Sequence, residues 1–240
     1  MEHFPFTLDQ SVAVVTMNRG ENRFNPAFNG KLLETRDVIE EKTDARTVVF
    51  TSEDAKIFSN GIDLEWIIPV MRRGDGEAAE RFFRQLNEIY TRLLTCPMIT
   101  VAAISGHAFA AGAIFAAAFD FRFMRSDRGY FCLPEVDLGI QFMPGMNAIL
   151  GKAIPSAILE EMQLTGCRLT ADDCLEHRIV KGIFPREELL EGALAFARSL
   201  NKQRHIAGEM KRRLNREVLE VIEEVDPGYI EARVRQMADA

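Results

Sequence analysis

Short apolar runs alternate with amphipathic stretches along the first half of the chain. Apolar runs rich in β-branched residues are typical of strands, whereas apolar residues at intervals of three and four indicate helices. The predicted strands are Phe4–Leu8, Val12–Met17, Thr47–Thr51, Met98–Ile104 and Phe119–Met124. The first two alternate well enough to form a hairpin. Because helices are predicted between the later strands, the pattern favours an α/β fold with right-handed crossovers.

Capping residues predict where several helices begin. Asn25 and the proline after it form a good N-cap and first-turn pair, and the helix that follows is expected to run to about Lys42. Gly61 marks a sharp turn, and Asp63 is a candidate cap for a short helix. A long amphipathic helix is predicted from Glu77 to Leu94.

After Ala148 the pattern is mostly helical. The predicted helices are Pro155–Leu164, Thr170–Glu176, Arg186–Asn201 and Ile206–Glu224. The segment Asp226-Pro227-Gly228 is expected to break the chain before a last short helix. This change from alternating strands and helices to mostly helices is the only feature of the sequence that indicates a domain boundary.

Small residues dominate the stretch from Ser105 to Asp120, which follows the predicted strand Met98–Ile104. The stretch is typical of a tight turn that leads into a buried helix. The first N–H groups of a helix have no acceptor inside it, and the helix dipole adds partial positive charge there. Such an entrance can hold a developing negative charge. It can equally serve only to let a strand and a helix pack closely, and the pattern alone does not decide.

Glu135 is a candidate catalytic residue because of its apolar surroundings. Its neighbours along the chain include Phe131, Leu133, Val136, Leu138 and Ile140. A carboxylate among such residues is costly unless it has a partner or a use. Desolvation would raise its pKa and make it a better base near neutral pH. The alternative is that Glu135 lies on the solvent-facing side of a strand.

Composition and charge exclude several classes of protein. The 240 residues are 47% hydrophobic and 27% charged, which predicts a soluble globular protein with one large domain or one domain with an appendage. The net charge of −7 argues against nucleic acid or an anionic membrane as the main partner. With no signal peptide, membrane span or peroxisomal tripeptide in the pattern, we expect a cytoplasmic protein. The four cysteines lack zinc-site spacing, so reduced thiols and no metal are expected.

Three segments together resemble the crotonase (enoyl-CoA hydratase/isomerase) superfamily. Phe58–Leu64 is similar to the family's first glycine turn, Ile104–Gly112 to its second turn and helix, and Leu133–Gly139 to its Pro-Glu segment. Three motifs in this order on a predicted α/β core form a specific match over nearly the whole chain. The resemblance implies a crotonase-like ββα spiral core with an acyl-CoA site over residues 1–185. It implies a C-terminal helical trimerisation region over residues 186–240.

The resemblance also implies the chemistry of the site. In the family, one backbone N–H group from each glycine turn binds the thioester oxygen, and on this chain these amides belong to Ile62 and Ala111. Members that hydrate a double bond use two glutamates. This chain keeps Glu135 but has Ile114 at the position of the other glutamate. It therefore resembles the Δ3,Δ2-enoyl-CoA isomerase branch, because moving a double bond needs only one base.

Further contacts follow from the same resemblance. The residues expected to bind CoA are Arg23, Phe24, Asn25, Ser59, Asn60 and Ile62. The candidates for the acyl pocket are Phe109, Ile114, Phe115, Phe142 and Met143, although such residues more often only form core. CoA enters as part of the acyl-CoA substrate, so no separate cofactor is expected. The expected assembly is a homotrimer or a dimer of trimers.

The expected function is a Δ3,Δ2-enoyl-CoA isomerase of fatty-acid β-oxidation, in which Glu135 moves a proton from C2 to C4. The alternatives are a hydratase, thioester hydrolase or decarboxylase of the same family, and a non-catalytic acyl-CoA-binding member. The isoleucine at position 114 counts against hydration, unless Asp137 replaces the missing acid. His107 is expected to be structural, because no acidic residue is spaced to orient it.

Overall fold

The strands form two sheets. The computed structural model describes residues 3–238, with side chains described up to residue 235. Its strands are β1 (Phe6–Asp9), β2 (Val12–Met17), β3 (Thr47–Ser52), β4 (Ile57–Ser59), β5 (Ile99–Ile104), β6 (His107–Phe109), β7 (Phe121–Arg125), β8 (Phe131–Cys132), β9 (Arg168–Leu169) and β10 (Gly182–Phe184). The larger sheet has the order β1-β2-β3-β5-β7-β10, and the smaller sheet has the order β4-β6-β8-β9.

From β3 to β8 the chain alternates between the two sheets, one strand at a time. In the larger sheet β1 and β2 form the antiparallel hairpin that the sequence predicts, and the other neighbours are parallel. In the smaller sheet β4, β6 and β8 are parallel. This alternation is the ββα repeat expected for the core. It brings the ends of β4 and β6 together beside the larger sheet.

Helices connect the strands, and after β10 the described chain is helical with no further strand. They are α1 (Pro26–Lys42), α2 (Leu64–Arg72), α3 (Gly76–Leu94), α4 (Ala111–Ala118), α5 (Pro144–Ala153), α6 (Ser156–Thr165), α7 (Ala171–Glu176), α8 (Arg186–Ser199), α9 (Arg204–Leu214), α10 (Arg216–Glu220) and α11 (Asp226–Ala238). A 3₁₀ turn covers Pro134–Val136 and a π-helical turn covers Val221–Val225.

Local capping chemistry explains why several helices begin where the sequence predicts. The Asn25 side chain accepts from the Phe28 amide, and α1 then starts at the proline after it. Asp63 caps α2 by accepting from two amides of its first turn. Thr170 and Asp173 form a reciprocal capping box at α7. These side chains satisfy amides that a helix leaves without partners at its first turn.

Two predictions about local structure are wrong. The segment between the strand that ends at Ile104 and the next helix is not a simple turn, because it contains the short strand β6. The break expected at Asp226-Pro227-Gly228 is absent, and the chain passes from α10 through the π turn into α11. A proline is tolerated in the first turn of a helix, where its missing N–H is not needed.

Aromatic rings fill the core between α1, α4 and the larger sheet. The Phe115 ring lies 5.0 to 6.2 Å from the rings of Phe24, Phe50, Phe58 and Phe119. All five are at most 4% exposed. On the other face of the sheet, α8 packs against β3, β5 and β7. The sheet is thus covered on both faces, as its parallel strands require.

Candidate active site

A cavity of about 640 Å³ opens between α2, α3, α11 and the two glycine turns. Its wall is mostly apolar, with a few polar groups at separate points. The polar and charged side chains are Arg23, Asn60, Glu135, Gln141, Tyr229 and Arg233. A large apolar cavity with a few convergent polar groups is the usual form of a site for an organic ligand.

The first glycine turn is pressed against the second. Gly61 has a φ of +78°, and a β-carbon at this position would lie 2.9 Å from the Phe109 carbonyl oxygen and 3.0 Å from the Ala111 nitrogen. Only glycine permits both the backbone conformation and the close approach. The Phe24 amide donates to the Gly61 carbonyl, and the Asp63 amide donates to the Phe24 carbonyl. Ile62 is thereby fixed, while its own N–H takes no part in these bonds.

The second turn is held in an unusual backbone conformation. Ala110, the residue before α4, has φ +52° and ψ −128°, a region that alanine rarely adopts. Its amide donates to the Cys132 carbonyl, which ties the turn to β8. Ala111 is then the first residue of α4, so its N–H has no acceptor within the helix. The backbone strain of this turn therefore lies at Ala110, the residue before Ala111.

Ile62 and Ala111 both line the cavity. Within residues 3–238, neither amide donates to another part of the chain. Two unpaired N–H groups from adjacent turns form an arrangement that can bind a carbonyl oxygen and stabilise negative charge on it.

Glu135 is buried on the 3₁₀ turn and lines the same cavity. Its side chain is 6% exposed, and its Oε2 has no hydrogen-bond partner in the described chain. Burial raises the pKa of Glu135 to about 7. The alternative in which this residue faces solvent is therefore wrong. A carboxylate with a pKa near neutrality can both accept and return a proton.

Among the described residues that line the cavity, Glu135 is the only carboxylate. Ile114 lines the cavity at the position where the resemblance places a second acid. Asp137 is exposed and does not line the cavity, and its carboxylate lies beside Gly166. The idea that Asp137 replaces the missing acid therefore finds no support in the geometry.

The predicted CoA-binding residues fall into two groups. Arg23, Asn60 and Ile62 line the cavity, and Arg23 also borders an adjoining polar pocket of about 600 Å³ that includes Asn25. The side chains of Phe24 and Ser59 are fully buried.

The predicted CoA contacts of Phe24 and Ser59 stay a prediction, and the packing of their side chains restricts such contacts to backbone atoms. The Phe24 ring packs edge-on against the rings of Phe28 and Phe115. The Ser59 hydroxyl donates to the Asn22 carbonyl at 2.7 Å. Both side chains are therefore committed to the core, and only backbone atoms of these two residues could reach a ligand.

Four of the five acyl-pocket candidates line the cavity, namely Phe109, Ile114, Phe142 and Met143. Phe115 is the exception and needs correction, since its ring belongs to the aromatic core. Successive helical residues point about 100° apart, so Ile114 and Phe115 on α4 face different environments. The sequence shows that both are apolar but not which one faces the ligand.

Sequence reasoning missed the part of the wall that comes from α11. Tyr229, Ile230 and Arg233 on this helix line the cavity. Tyr229 and Ile230 are adjacent and Arg233 follows three residues later, so all three lie on one face of the helix. This spacing was the only feature of the sequence that could have indicated their place in the wall. His107, in contrast, stacks on Tyr130, lies at a tilt against the Phe109 ring and does not line the cavity.

A buried carboxyl group fixes α11 in place. Asp226, the first residue of the helix, is fully buried and accepts hydrogen bonds from the Gly145 amide at 2.8 Å and from Asn87 Nδ2 at 2.9 Å. Gly145 lies at the start of α5, and Asn87 lies on α3. One side chain thus joins three of the helices around the cavity.

We expect Asp226→Ala to lower the free energy of unfolding by about 3 kcal/mol, because it leaves two buried donors without acceptors. Urea denaturation measures the change. Asp44→Ala is the matched control, since Asp44 is exposed and makes no hydrogen bond or ion pair within the described chain. A loss for Asp226→Ala no greater than that for the control would contradict the assigned role.

Two further structural features concern metals and membranes. No helix in the described part of the chain is both long and apolar enough to cross a membrane. Residues 3–238 also contain no group of three or more histidine, cysteine, aspartate or glutamate side chains that could hold a metal ion.

A fold that alternates between two sheets, with a buried carboxylate and two residues with unpaired amides lining one apolar cavity, defines the crotonase class of proteins. Residues 7–235 match the family model described as enoyl-CoA hydratase/isomerase, and the chain belongs to this family. The fold expected from the three sequence motifs is confirmed.

Several known proteins are similar to this chain in sequence or in structure. The chain is 31% identical to "Enoyl-CoA delta isomerase 1, peroxisomal" of Arabidopsis thaliana over 83% of this chain and 84% of that protein. It is 29% identical to the mitochondrial "Delta(3,5)-Delta(2,4)-dienoyl-CoA isomerase" of Mus musculus over 80% of this chain and 62% of that protein. The crystal structure of human mitochondrial Δ3-Δ2-enoyl-CoA isomerase shares the fold, with a TM-score of 0.88, 23% identity, and coverage of 99% and 92% of the two chains.

Proposed function

We propose that this protein is a Δ3,Δ2-enoyl-CoA isomerase. The observation that carries the proposal is Glu135, a buried carboxylate with a pKa near 7 that lines the same cavity as the unpaired amides of Ile62 and Ala111. The similarity to relatives named as enoyl-CoA delta isomerases supports the same activity. The substrate is a 3-enoyl-CoA thioester, and the product is the conjugated 2-enoyl-CoA.

The reaction transfers one proton and conserves every atom of the substrate. The Glu135 carboxylate removes a proton from C2, and the electron pair of the C–H bond moves toward the thioester oxygen to form a dienolate. The protonated Glu135 then gives the proton to C4, while the electrons return and leave the double bond between C2 and C3. Glu135 ends as a carboxylate, so no second acid is required.

The two amides stabilise the dienolate. Negative charge develops on the thioester oxygen, and the N–H dipoles of Ile62 and Ala111 are already oriented by the packed turns. One fixed donor of this kind contributes about 3 kcal/mol in well-measured acyl-transfer enzymes. The apolar side chains of Ile114 and Met143 help to keep water away from the intermediate.

Hydration of a double bond is less well supported, because it requires groups to orient and deprotonate a water molecule and to protonate the substrate. The Ile114 side chain can do none of these. Incubating the protein with a 3-enoyl-CoA and following absorbance and product mass separates the candidates. Isomerisation gives a conjugated product of unchanged mass, hydrolysis releases free CoA, and a binding protein leaves the substrate intact. A parallel incubation with a 2-enoyl-CoA detects hydration as the addition of one water, and one with a carboxylated acyl-CoA detects decarboxylation as the loss of CO₂.

The pH dependence should follow the ionisation of Glu135. The group acts first as a base, so it must start as the carboxylate, and its pKa is raised to about 7 by burial. We expect kcat/KM to rise with pH through a single ionisation near 7 and to level off above it. A profile that stays flat between pH 5 and pH 8 would contradict the assignment of Glu135 as the base.

The homotrimer implied by the resemblance stays a prediction. An exposed apolar stripe on α9, formed by Ile206, Met210 and Leu214 at successive intervals of four residues, supports it. Such a stripe is typical of a helix face that is buried in an assembly.

A further inference from the structure

Helix α11 forms part of the wall of the cavity and runs antiparallel to α3. Asp226 bonds Asn87, Glu231 pairs with Arg84, and Val234 lies against Gly76. Arg233 is therefore two helical turns, about 10 Å, along α11 from the anchored end.

Glu135 lies near the anchored end of this helix pair. Tyr90 of α3 is fully buried, and burial above all, followed by the charges of Glu135 and Asp226, raises the pKa of its phenol, so both carboxylates are close to Tyr90. The reacting carbons of a substrate must lie beside Glu135. The wall near Arg233 therefore faces a more remote part of the ligand.

The position of the polar pocket decides which part of the ligand this is. The pocket adjoins the cavity at Arg23, next to the first turn of α2, and its lining includes Arg19, Asn25 and Asp63. A charged CoA head fits this polar side. Helix α2, which Asp63 caps beside this pocket, ends four residues before Gly76, which lies against Val234. An acyl chain that extends from the pocket along α2 therefore passes Met71 and reaches the Arg233 end of the cavity.

Arg233 is an unusual residue for the end of an acyl cavity. It is half-buried and lines the cavity, and it makes no ion pair with any described residue. Arg235 on the same helix is exposed and pairs with Glu231. Tyr229, one turn before Arg233 on the same face, also lines the cavity, and its buried hydroxyl has no hydrogen-bond partner in the described chain.

The buried Tyr229 hydroxyl lacks an acceptor, and the Arg233 guanidinium one turn away lacks an anionic partner among the described residues. A ligand acceptor placed beside them would bind to both. A hydrocarbon chain offers none and would leave a buried hydroxyl without a partner, which is destabilising. A carboxylate satisfies both donors, since it can accept from a guanidinium and from a phenol.

We propose that the cavity selects acyl-CoA thioesters whose acyl chain carries a second carboxylate at its far end, and that Arg233 and Tyr229 bind this carboxylate. The inference builds on the proposed isomerase by naming its substrate class, which is the CoA monothioesters of unsaturated dicarboxylic acids. A reaction that oxidises the far end of a fatty acyl chain, or that opens a ring to a dicarboxylic acid, would have to supply such substrates.

Binding of saturated ligands tests this proposal without any need for turnover. Calorimetry on the full chain would compare hexanoyl-CoA with adipoyl-CoA, octanoyl-CoA with suberoyl-CoA, and decanoyl-CoA with sebacoyl-CoA. Members of each pair share the CoA head, so contacts to its phosphates cancel. At the chain length that spans the cavity, the dicarboxylic ligand should bind about tenfold more tightly, as a charge-assisted hydrogen bond predicts.

Arg233→Gln should abolish this preference, and Arg233→Lys should keep part of it. Arg235→Gln is the matched control, because it removes the same charge from the same helix at an exposed position, and it should keep the preference. Equal or weaker binding of the dicarboxylic ligand at every length would overturn the proposal. So would an equal loss in the Arg235→Gln variant, which would indicate a general effect of charge.

The outcome is independent of the proposed chemistry. If the ligand preference is present but no 3-enoyl-CoA is isomerised, the isomerase assignment fails and the binding inference stands. If monocarboxylic 3-enoyl-CoA is isomerised and no preference exists at any length, the inference fails and the isomerase assignment stands.

Discussion

Glu135→Gln should lower kcat for a 3-enoyl-CoA by about 10²- to 10⁴-fold. The amide has nearly the same shape as the carboxyl group but cannot accept the proton from C2. Thioester binding depends on the Ile62 and Ala111 amides and on the apolar wall, so the affinity for a saturated acyl-CoA should stay close to that of the wild type. Steady-state kinetics and calorimetry measure the two quantities separately.

The same substitution should stabilise the fold at alkaline pH. The pKa of Glu135 is about 7 in the folded protein and close to 4.5 when it is exposed. Because the folded pKa is raised, stability is lost as pH rises from the lower value through the higher one. Above pH 7 this loss reaches about 3 kcal/mol, and replacing the buried carboxylate with glutamine should recover much of it.

A variant that is less active and more stable is a strong signature, because simple misfolding lowers both properties. Glu160→Gln is the control, since Glu160 is exposed and should change neither activity nor stability. Wild-type turnover by Glu135→Gln would remove Glu135 from the mechanism. If Glu135→Gln were less stable than the wild type at pH 8, the result would show that the carboxylate is stabilised by its surroundings.

Gly61→Ala should have the second largest effect, because it disturbs the site that holds the thioester oxygen. The new methyl group would meet the Phe109 carbonyl at 2.9 Å and the Ala111 nitrogen at 3.0 Å, so the two turns must separate. Losing the alignment of one amide donor costs about 10²- to 10³-fold in kcat. Kinetic assays of the folded variant measure this loss.

The matched control for this variant is Gly74→Ala. Gly74 has a similar φ of +69°, but a β-carbon there would have no atom within 4 Å. Both variants carry the strain of an alanine at positive φ, and only Gly61→Ala adds the clash. An equal loss of kcat in both variants would mean that backbone strain, and not the spacing of the turns, explains the effect.

Sequence reasoning succeeded where local chemistry decides the structure. Asn25 and Asp63 cap the helices that they were expected to cap, because a side-chain acceptor next to free amides acts within one turn of the chain. The hairpin of β1 and β2 follows from local alternation in the same way. The three motifs then indicated the fold in which these elements are arranged.

Sequence reasoning failed where distant parts of the chain decide. Ile114 and Phe115 are both apolar, and only the packing of α4 against the aromatic core shows that Phe115 is turned away from the cavity. The same holds for Tyr229 and Arg233, which reach the site because Asp226 is bonded to residues far away in the sequence. Local propensity contains no information about such contacts.

The most direct test of the account is a crystal structure of the protein with octanoyl-CoA. The central claim is that the two amides and the one carboxylate act on the same thioester. We expect the thioester oxygen within about 3 Å of both the Ile62 and the Ala111 nitrogens, with the Glu135 carboxyl group within reach of both C2 and C4. A thioester bound away from these amides, or a Glu135 carboxyl group turned out of the cavity, would contradict the account.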